Sequence, residues 1–386
     1  MTNFGLDAEV KVFTGNDVDR DLPISVSDWR ERARSKLSKE AWDYLEGGAG
    51  SGETARENRT AFWRWKVRPR YLRDVGDRDL SVTLFGKRYD TPFILAPIGV
   101  QEILNPEGEA ATARAASHLG MPFVLSTVSS MSIEEIASIM GNSERWFQLY
   151  PSRDKNIMKS LIKRAENAGY SVIVVTVDTT MLGWRERDLE NEYLPFLGGK
   201  GIMNYLTDPE FLKRLKSSPK EDMQSAIMEF LNVYVNPSFS WDDLSEIRKW
   251  TKLPLIVKGI THPDDIEMVF QSGADGVVIS NHGGRQVDGA ISSMDALSLV
   301  DTKAYVGKVF FLDSGIRHAA DAVKALAMGA NAVLLGRPYA YALSVAGSRG
   351  VERFMSMLRA EMDLQMALAG FKHVSELNRS ILYRSH

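Results

Sequence analysis

Apolar runs of strand length recur along the chain at 93–96, 123–127, 146–150, 171–178, 253–258, 276–280, 308–313 and 332–336. Each is short and bounded by turn residues, the pattern of a buried parallel strand. Between most of them the apolar positions change to a helical spacing. Ser132-Ile133-Glu134-Glu135 opens one helix as a capping box. Asn105-Pro106-Glu107 opens another, with Asn105 as N-cap and Pro106 in the first helical position. Residues 154–168, 243–250, 263–272 and 319–328 supply more, and Gly120, Gly141, Gly169, Gly273 and Gly329 mark helix ends. Eight strands alternating with helices predict an α/β fold, a (β/α)8 TIM barrel. A doubly wound open sheet is the alternative, but no Gly-x-Gly-x-x-Gly opens a first helix.

Ahead of the barrel, residues 1–25 read as a polar extension on the surface. Ser27 to Leu45 reads as one helix with Trp29, Ala33, Leu37, Ala41 and Tyr44 on a stripe, stopped at Glu46-Gly47-Gly48-Ala49-Gly50. Residues 80–86 read as a short strand leading into a turn. A last helix at about 350–369 carries Val351, Phe354, Met355, Leu358 and Met362 and packs on the barrel exterior. The rhythm breaks once, for more than sixty residues between Asp178 and the helix near 243. That is too long for a connector. Its aromatics and prolines (Tyr193, Pro195, Phe196, Tyr205, Pro209, Phe211) argue for an ordered lid over the barrel mouth, a subunit contact being the other reading. The chain thus divides into an N-terminal extension with its helix, 1–90, and a barrel, 91–386, with a lid insertion at about 186–242.

The 386 residues, 44% apolar and 25% charged, have the composition of an ordinary globular protein. The net charge of -3 argues against a nucleic-acid partner. With no cysteine there is no disulfide, thiolate nucleophile or Cys-based metal site, and the six scattered histidines form no pair at metal-ligand spacing. The first residues lack a basic stretch followed by an apolar one, and no apolar run approaches the roughly 20 residues that span a bilayer. The expectation is a cytoplasmic protein with no membrane contact and no metal.

A barrel of this kind builds its site at the C-terminal ends of the strands. Those ends read Ala96-Pro97-Ile98-Gly99, Ser126-Thr127, Gln148-Leu149-Tyr150, Thr176-Val177-Asp178 with Arg185 in the next loop, Lys258-Gly259, Ser280-Asn281-His282-Gly283-Gly284-Arg285-Gln286, Asp313-Ser314-Gly315-Ile316-Arg317 and Gly336-Arg337. In the sixth, a candidate base, His282, precedes a candidate anion clamp, Arg285, and the two glycines between them let the backbone bend. That pairing suits chemistry on a small organic acid; a polar turn with a surface arginine is the plainer alternative. The last two ends suit a phosphate, with backbone N–H groups at Gly315 and Gly336 and guanidiniums at Arg317 and Arg337. Lys258 suits negative charge on a ring, and Gln148 and Thr176 suit a ring edge. On these residues the phosphorylated ligand is either FMN or a sugar phosphate. Tyr44 is either a core aromatic or part of the site.

The motifs Ser-Asn-His-Gly-Gly-Arg-Gln (280–286), Asp-Ser-Gly-Ile-Arg (313–317), Lys-Ala-Leu-Ala-Met-Gly-Ala (324–330) and Leu-Gly-Arg-Pro (335–338) resemble those of the FMN-dependent α-hydroxy-acid oxidases and dehydrogenases. The resemblance runs from about Ser27 to 380. It implies FMN, a small 2-hydroxy-acid substrate, O2 and a homotetramer or larger assembly. It also implies roles. His282 would be the base, and Asp178 its partner, raising its basicity. Arg285 and Arg185 would bind the substrate carboxylate, with Tyr150 and Tyr44 hydrogen-bonding the substrate. Lys258 would stabilise negative charge on the flavin, beside Pro97, Ile98, Gly99 and Ser280. Ser126, Gln148 and Thr176 would contact the ring, and Asp313, Gly315, Arg317, Gly336 and Arg337 the ribityl phosphate end. Within the family, Gly183-Trp184-Arg185, Pro195-Phe196-Leu197, 204–209 and Pro97-Ile98-Gly99-Val100 look most like the lactate 2-monooxygenase branch, which implies L-lactate and O2 giving acetate, CO2 and water. Gly99, where many oxidases of the family carry Ala, would leave room beside the flavin. Release of pyruvate and H2O2 by a simple oxidase, or transfer to a quinone or cytochrome, are the alternatives within the family. An aldolase or isomerase barrel is the alternative outside it.

Overall fold

Eight parallel strands close on themselves in the computed structural model, which describes residues 4–385. They are β1 (Phe93–Leu95), β2 (Phe123–Leu125), β3 (Arg145–Leu149), β4 (Ile173–Thr176), β5 (Leu255–Ile260), β6 (Gly276–Ile279), β7 (Val309–Leu312) and β8 (Ala332–Leu335), and β8 pairs with β1 to complete the ring. The start of the N-terminal extension, residues 1–3, and His386, one of the six histidines, lie outside the described residues. Alternation along the strands separates two apolar clusters. Ile94, Val124, Trp146, Val174, Ile256, Val278, Phe311 and Leu334 fill the barrel interior. Their neighbours, such as Leu95, Leu125, Phe147, Val175 and Leu312, pack outward with the helices.

A hairpin, Val82–Leu84 paired with Lys87–Tyr89, plugs the end where the strands begin. Phe85 at its turn reaches Trp146 and Phe311, whose rings stand 5.9 Å apart and edge-on. That end is closed, so any site lies at the other.

Three local expectations need correction. The stretch 27–45 is two helices, Val26–Lys36 and Lys39–Glu46, because the Ser38 hydroxyl accepts from Ala41 N–H and starts a new helix as its N-cap. Asn105 is not a helix cap: its side chain accepts from Glu107 N–H in a local turn, and the helix begins later, at Gly108–Leu119. The last helix starts at Arg337, directly after β8, and runs to Ala369 with a break at Ala346 and Gly347, so 350–369 is its second half. The terminal extension contributes a helix too, Phe4–Phe13. It docks on that second half, where Gly5 N–H donates to buried Asp363 at 2.9 Å.

Residues 179–241 form short helices seated at the barrel mouth. Phe196, Tyr205, Phe211, Phe230 and Tyr234 make a continuous edge-to-face aromatic cluster, which orders the segment without a sheet. Asn204 Nδ2 donates to the Ser126 and Thr127 carbonyls at 3.2 and 3.0 Å, anchoring the excursion to the end of β2. No helix among the described residues is long and apolar enough to cross a membrane.

Candidate active site

The loop after β6 turns through left-handed backbone. His282, Gly283 and Gly284 take consecutive positive φ values of 58°, 67° and 76°. For a non-glycine residue such a conformation costs on the order of 1–3 kcal/mol, and it persists only where the surroundings impose it. Here Asn281 and Asn58 exchange two amide hydrogen bonds at 2.7 and 2.8 Å, and Gly283 N–H donates to Ser314 Oγ at 2.9 Å. A side chain at Gly284 would stand 2.4 Å from Ala55 N, so the helix Glu53–Trp63 lies directly against this loop.

The strain turns the His282 ring between two walls. Nδ1 lies 2.7 Å from Asp178 Oδ1 and 3.2 Å from Thr179 Oγ1, while Nε2 lies 3.4 Å from the Tyr150 hydroxyl. Burial would raise the Asp178 carboxyl, but His282 and Lys258 outweigh it and hold it below its ordinary value. Asp178 is therefore ionised and accepts a hydrogen bond from Nδ1–H, which leaves Nε2 as the lone-pair nitrogen at the cavity. Burial lowers His282 more than Asp178 raises it. Asp178 thus raises the basicity of His282 as expected, but burial outweighs it, and the imidazole is neutral at neutral pH.

Cations crowd the same space. Arg285 donates to the Tyr44 and Gly47 carbonyls and lies 5.1 Å over the Tyr44 ring. Arg337 donates to the carbonyls of Leu45, Gly47 and Gly283. Apart from Gly283, these acceptors sit at the C-terminal end of the helix Lys39–Glu46, where helix carbonyls lack partners and favour cations. Burial, and then Arg185, push Arg285 down to about 9, and burial lowers Arg337. Among the described residues neither has a carboxylate within ion-pair distance, whereas Arg185 and Lys258 beside them are paired with Asp188 and Asp313. Lys258 Nζ donates to Ser280 Oγ at 3.0 Å and pairs with Asp313 at 3.2 Å. Burial would lower Lys258, but Asp313 and Asp178 raise it, so it stays charged.

One cavity collects most of the expected residues. Tyr44, Tyr150, Arg185, His282 and Arg285 line it, together with Pro97, Ile98, Gly99 and Lys258 and with Asp313, Gly315, Arg317, Gly336 and Arg337. Asp178, Ser126, Gln148, Thr176 and Ser280 do not line it but stand just behind. Gln148 accepts from Ser126 Oγ, and Thr176 is paired in register with Lys258. Gln148 Nε2 and Thr176 Oγ1 are buried without a protein partner, a costly arrangement unless something else pairs with them. Gly99 needs a correction of its own. A Cβ there would stand 2.5 Å from Val128 Cγ2, so the missing methyl lets two loops close together and leaves no gap on that side.

Several lining residues escaped sequence reasoning. Tyr234 packs edge-on against Tyr150 at 5.6 Å, and Thr179 touches both His282 and Asp178. Phe230 and Tyr234, four apart on one helix, were a visible apolar stripe. Nothing in the chain signalled that this stripe faces the mouth. Asn58 gave no signal at all, since one buried amide has no period.

The comparisons with known proteins agree with this geometry. A family model described as FMN-dependent dehydrogenase matches residues 33–384. An L-lactate oxidase of Lysinibacillus sphaericus (strain C3-41) is 40% identical over 365 residues, covering 94% of each chain. The 2-hydroxyacid oxidase 1 of Mus musculus is 39% identical over 94% of this chain and 97% of its own. The crystal structure of a soluble mutant of the membrane-associated (S)-mandelate dehydrogenase from Pseudomonas putida superposes with a TM-score of 0.83 at 38% identity, covering 94% of this chain and 99% of that one. With a half-buried histidine–aspartate pair beside Arg185, Lys258, Arg285 and Arg337 in an eight-stranded barrel, the chain belongs to the family of FMN-dependent enzymes that oxidise 2-hydroxy acids.

Proposed function

We propose that the chain acts on L-lactate or a 2-hydroxy acid of similar size, uses O2 as acceptor and retains both first products, so that L-lactate + O2 yields acetate + CO2 + H2O. The observation that carries this reading is the cover over the mouth. Leu182, Arg185, Leu194, Phe196 and Tyr234, all from the 179–241 excursion, wall the cavity that holds His282. Pyruvate and peroxide formed beneath such a wall react together if release is slower than reaction.

The residues fit FMN. The unpartnered Gln148 Nε2 and Thr176 Oγ1 supply hydrogen bonds for a ring edge, and charged Lys258 complements negative charge on it. Gly336 caps the Arg337–Ala369 helix without a side chain, a setting suited to phosphate, with Arg317 and Arg337 beside it. Bound there, FMN would supply the two-electron acceptor for the substrate, with O2 as the final oxidant. The protein's own work is to bind and to move a proton. Arg185 and Arg285 hold the carboxylate, a task for planar guanidiniums. Tyr44 and Tyr150 fix the substrate against them, and His282 Nε2 accepts a proton from the substrate. Asp178 stabilises the imidazolium that results.

The second reading is a simple oxidase releasing pyruvate and H2O2, favoured by the relatives named L-lactate oxidase. Holoenzyme given L-lactate in air, with acetate, pyruvate and peroxide followed together, separates the two. Acetate with little free peroxide is expected; stoichiometric pyruvate and peroxide would establish the oxidase. Faster turnover of mandelate than of lactate would reassign the substrate. A homotetramer or larger assembly in the cytosol belongs to the same reading, and light scattering on the holoenzyme checks the assembly.

A further inference from the structure

The loop that leaves β4 and the loop that leaves β6 are joined by one side chain. Gln286 Nε2 donates to the carbonyls of Asp178 and Met181 at 2.9 and 2.8 Å. Its Oε1 accepts from Arg185 Nη2 at 3.0 Å and from Gly183 N–H at 3.4 Å. Both amide protons and both lone pairs of the oxygen are thereby used, and all four partners lie within 178–185. The backbone is shaped for this contact. A Cβ at Gly183 would stand 2.5 Å from the Arg285 carbonyl and 2.7 Å from that of Gln286, so only glycine lets the two segments meet.

Arg185 depends on this junction. Its other polar contacts are the Arg285 carbonyl at 3.3 Å and a long ion pair to Asp188 at 3.9 Å. It also faces the Arg285 guanidinium, a like charge, and after burial Arg185 is the largest cause that lowers Arg285. A long, flexible cation facing a like charge stays in place only if something holds it, and the Gln286 carbonyl oxygen is the nearest acceptor.

We propose that Gln286 is a positioning residue: it ties the 178–185 segment to the base-bearing loop and so aims Arg185 at the substrate carboxylate. The inference rests on reading Arg185 as a carboxylate-binding group. Gln286 does not touch the reacting atoms. Its loss therefore acts on anion binding before it acts on proton transfer.

The test is a double-mutant cycle on FMN-loaded enzyme with Gln286→Met, Arg185→Met and both together. Oxalate, an anion that cannot be oxidised at a 2-hydroxyl, serves as probe through its perturbation of the flavin absorbance, alongside steady-state kinetics with L-lactate. Gln286→Met is expected to weaken oxalate binding about tenfold and to raise KM by a similar factor, with a much smaller fall in kcat. On the Arg185→Met background it should add little. Gly183→Ala, which forces the segments apart without touching the amide, should reproduce the binding loss with FMN content retained. Equal, additive losses in both backgrounds, or a fall in kcat with oxalate binding intact, would overturn the proposal. If Arg185→Met itself binds oxalate as tightly as the parent, the carboxylate reading fails and the proposal with it. If Arg185→Met weakens oxalate while Gln286→Met does not, only the proposal fails.

Discussion

The lower and upper layers of the barrel interior are built from the same strands two residues apart, yet they behave differently. Val124, Trp146, Val174, Ile256, Val278, Phe311 and Leu334 fill the lower layer. Two positions on come Ser126, Gln148, Thr176, Lys258, Ser280, Asp313 and Gly336. The strand period of two puts both sets on the inside. Below, the polar handles are satisfied within the protein: Trp146 Nε1 and the Tyr89 hydroxyl both donate to Glu144 at 2.9 Å. Above, Gln148 Nε2, Thr176 Oγ1 and Asp178 Oδ2 are buried with no partner. A layer complete in itself is there for stability. A layer with unmet hydrogen bonds and excess cations is built for a guest.

The sharpest way to break this contrast is His282→Gln. It should lower kcat by about 10²–10⁴-fold, the range lost with a general base, with FMN content unchanged. Turnover near that of the parent would remove His282 from the proton transfer. Next in size is Phe311→Ala in the lower layer, which should cost about 3–5 kcal/mol of folding stability in urea titrations. If kcat per bound flavin falls steeply as well, the two layers are coupled and the contrast is overstated.

A pH profile tests the electrostatics. The base must be neutral to act, and burial lowers His282 below its ordinary value. A lowered value extends the neutral form to more acid solution. The acid limb of kcat/KM should therefore lie below the usual histidine value of about 6.5, with a fall of about tenfold per pH unit beyond it. Asp178→Asn removes the partner that pushes His282 up, so its residual activity should show a limb at still lower pH; a limb moving upward would contradict the pairing. The smallest expected effect is the most diagnostic of the layers. Thr176→Val removes an unpartnered hydroxyl, so FMN-free protein should be as stable as the parent or more so. FMN affinity should weaken by about 0.5–1.5 kcal/mol in fluorescence titrations. Loss of stability without loss of affinity would assign Thr176 to the lower layer's role.

Much of this was legible because it is periodic or local. The eight strands stood out as apolar runs, and the strand-end residues could be read as a mouth once the barrel was assumed. Ser38 shows where local reading slipped: a helical stripe ran through it, and a single cap hydrogen bond outweighed the stripe. Gly99 shows a second kind of miss. Whether a missing methyl leaves space depends on Val128, twenty-nine residues away, and no pattern along the chain reports that distance.

The chain by itself determined the barrel, the order of its strands and the residue types at each strand end, because alternation and turn chemistry act over a few residues. Tertiary structure alone decided which of those residues face one another. It set the left-handed turn that points His282 Nε2 at the cavity and hung half-buried Arg285 and Arg337 on the carbonyls of a distant helix end. It also brought Tyr234 over Tyr150 and hung Arg185 on Gln286. Charge balance, desolvation and close approach depend on distances through space, and those exist only once the barrel has closed.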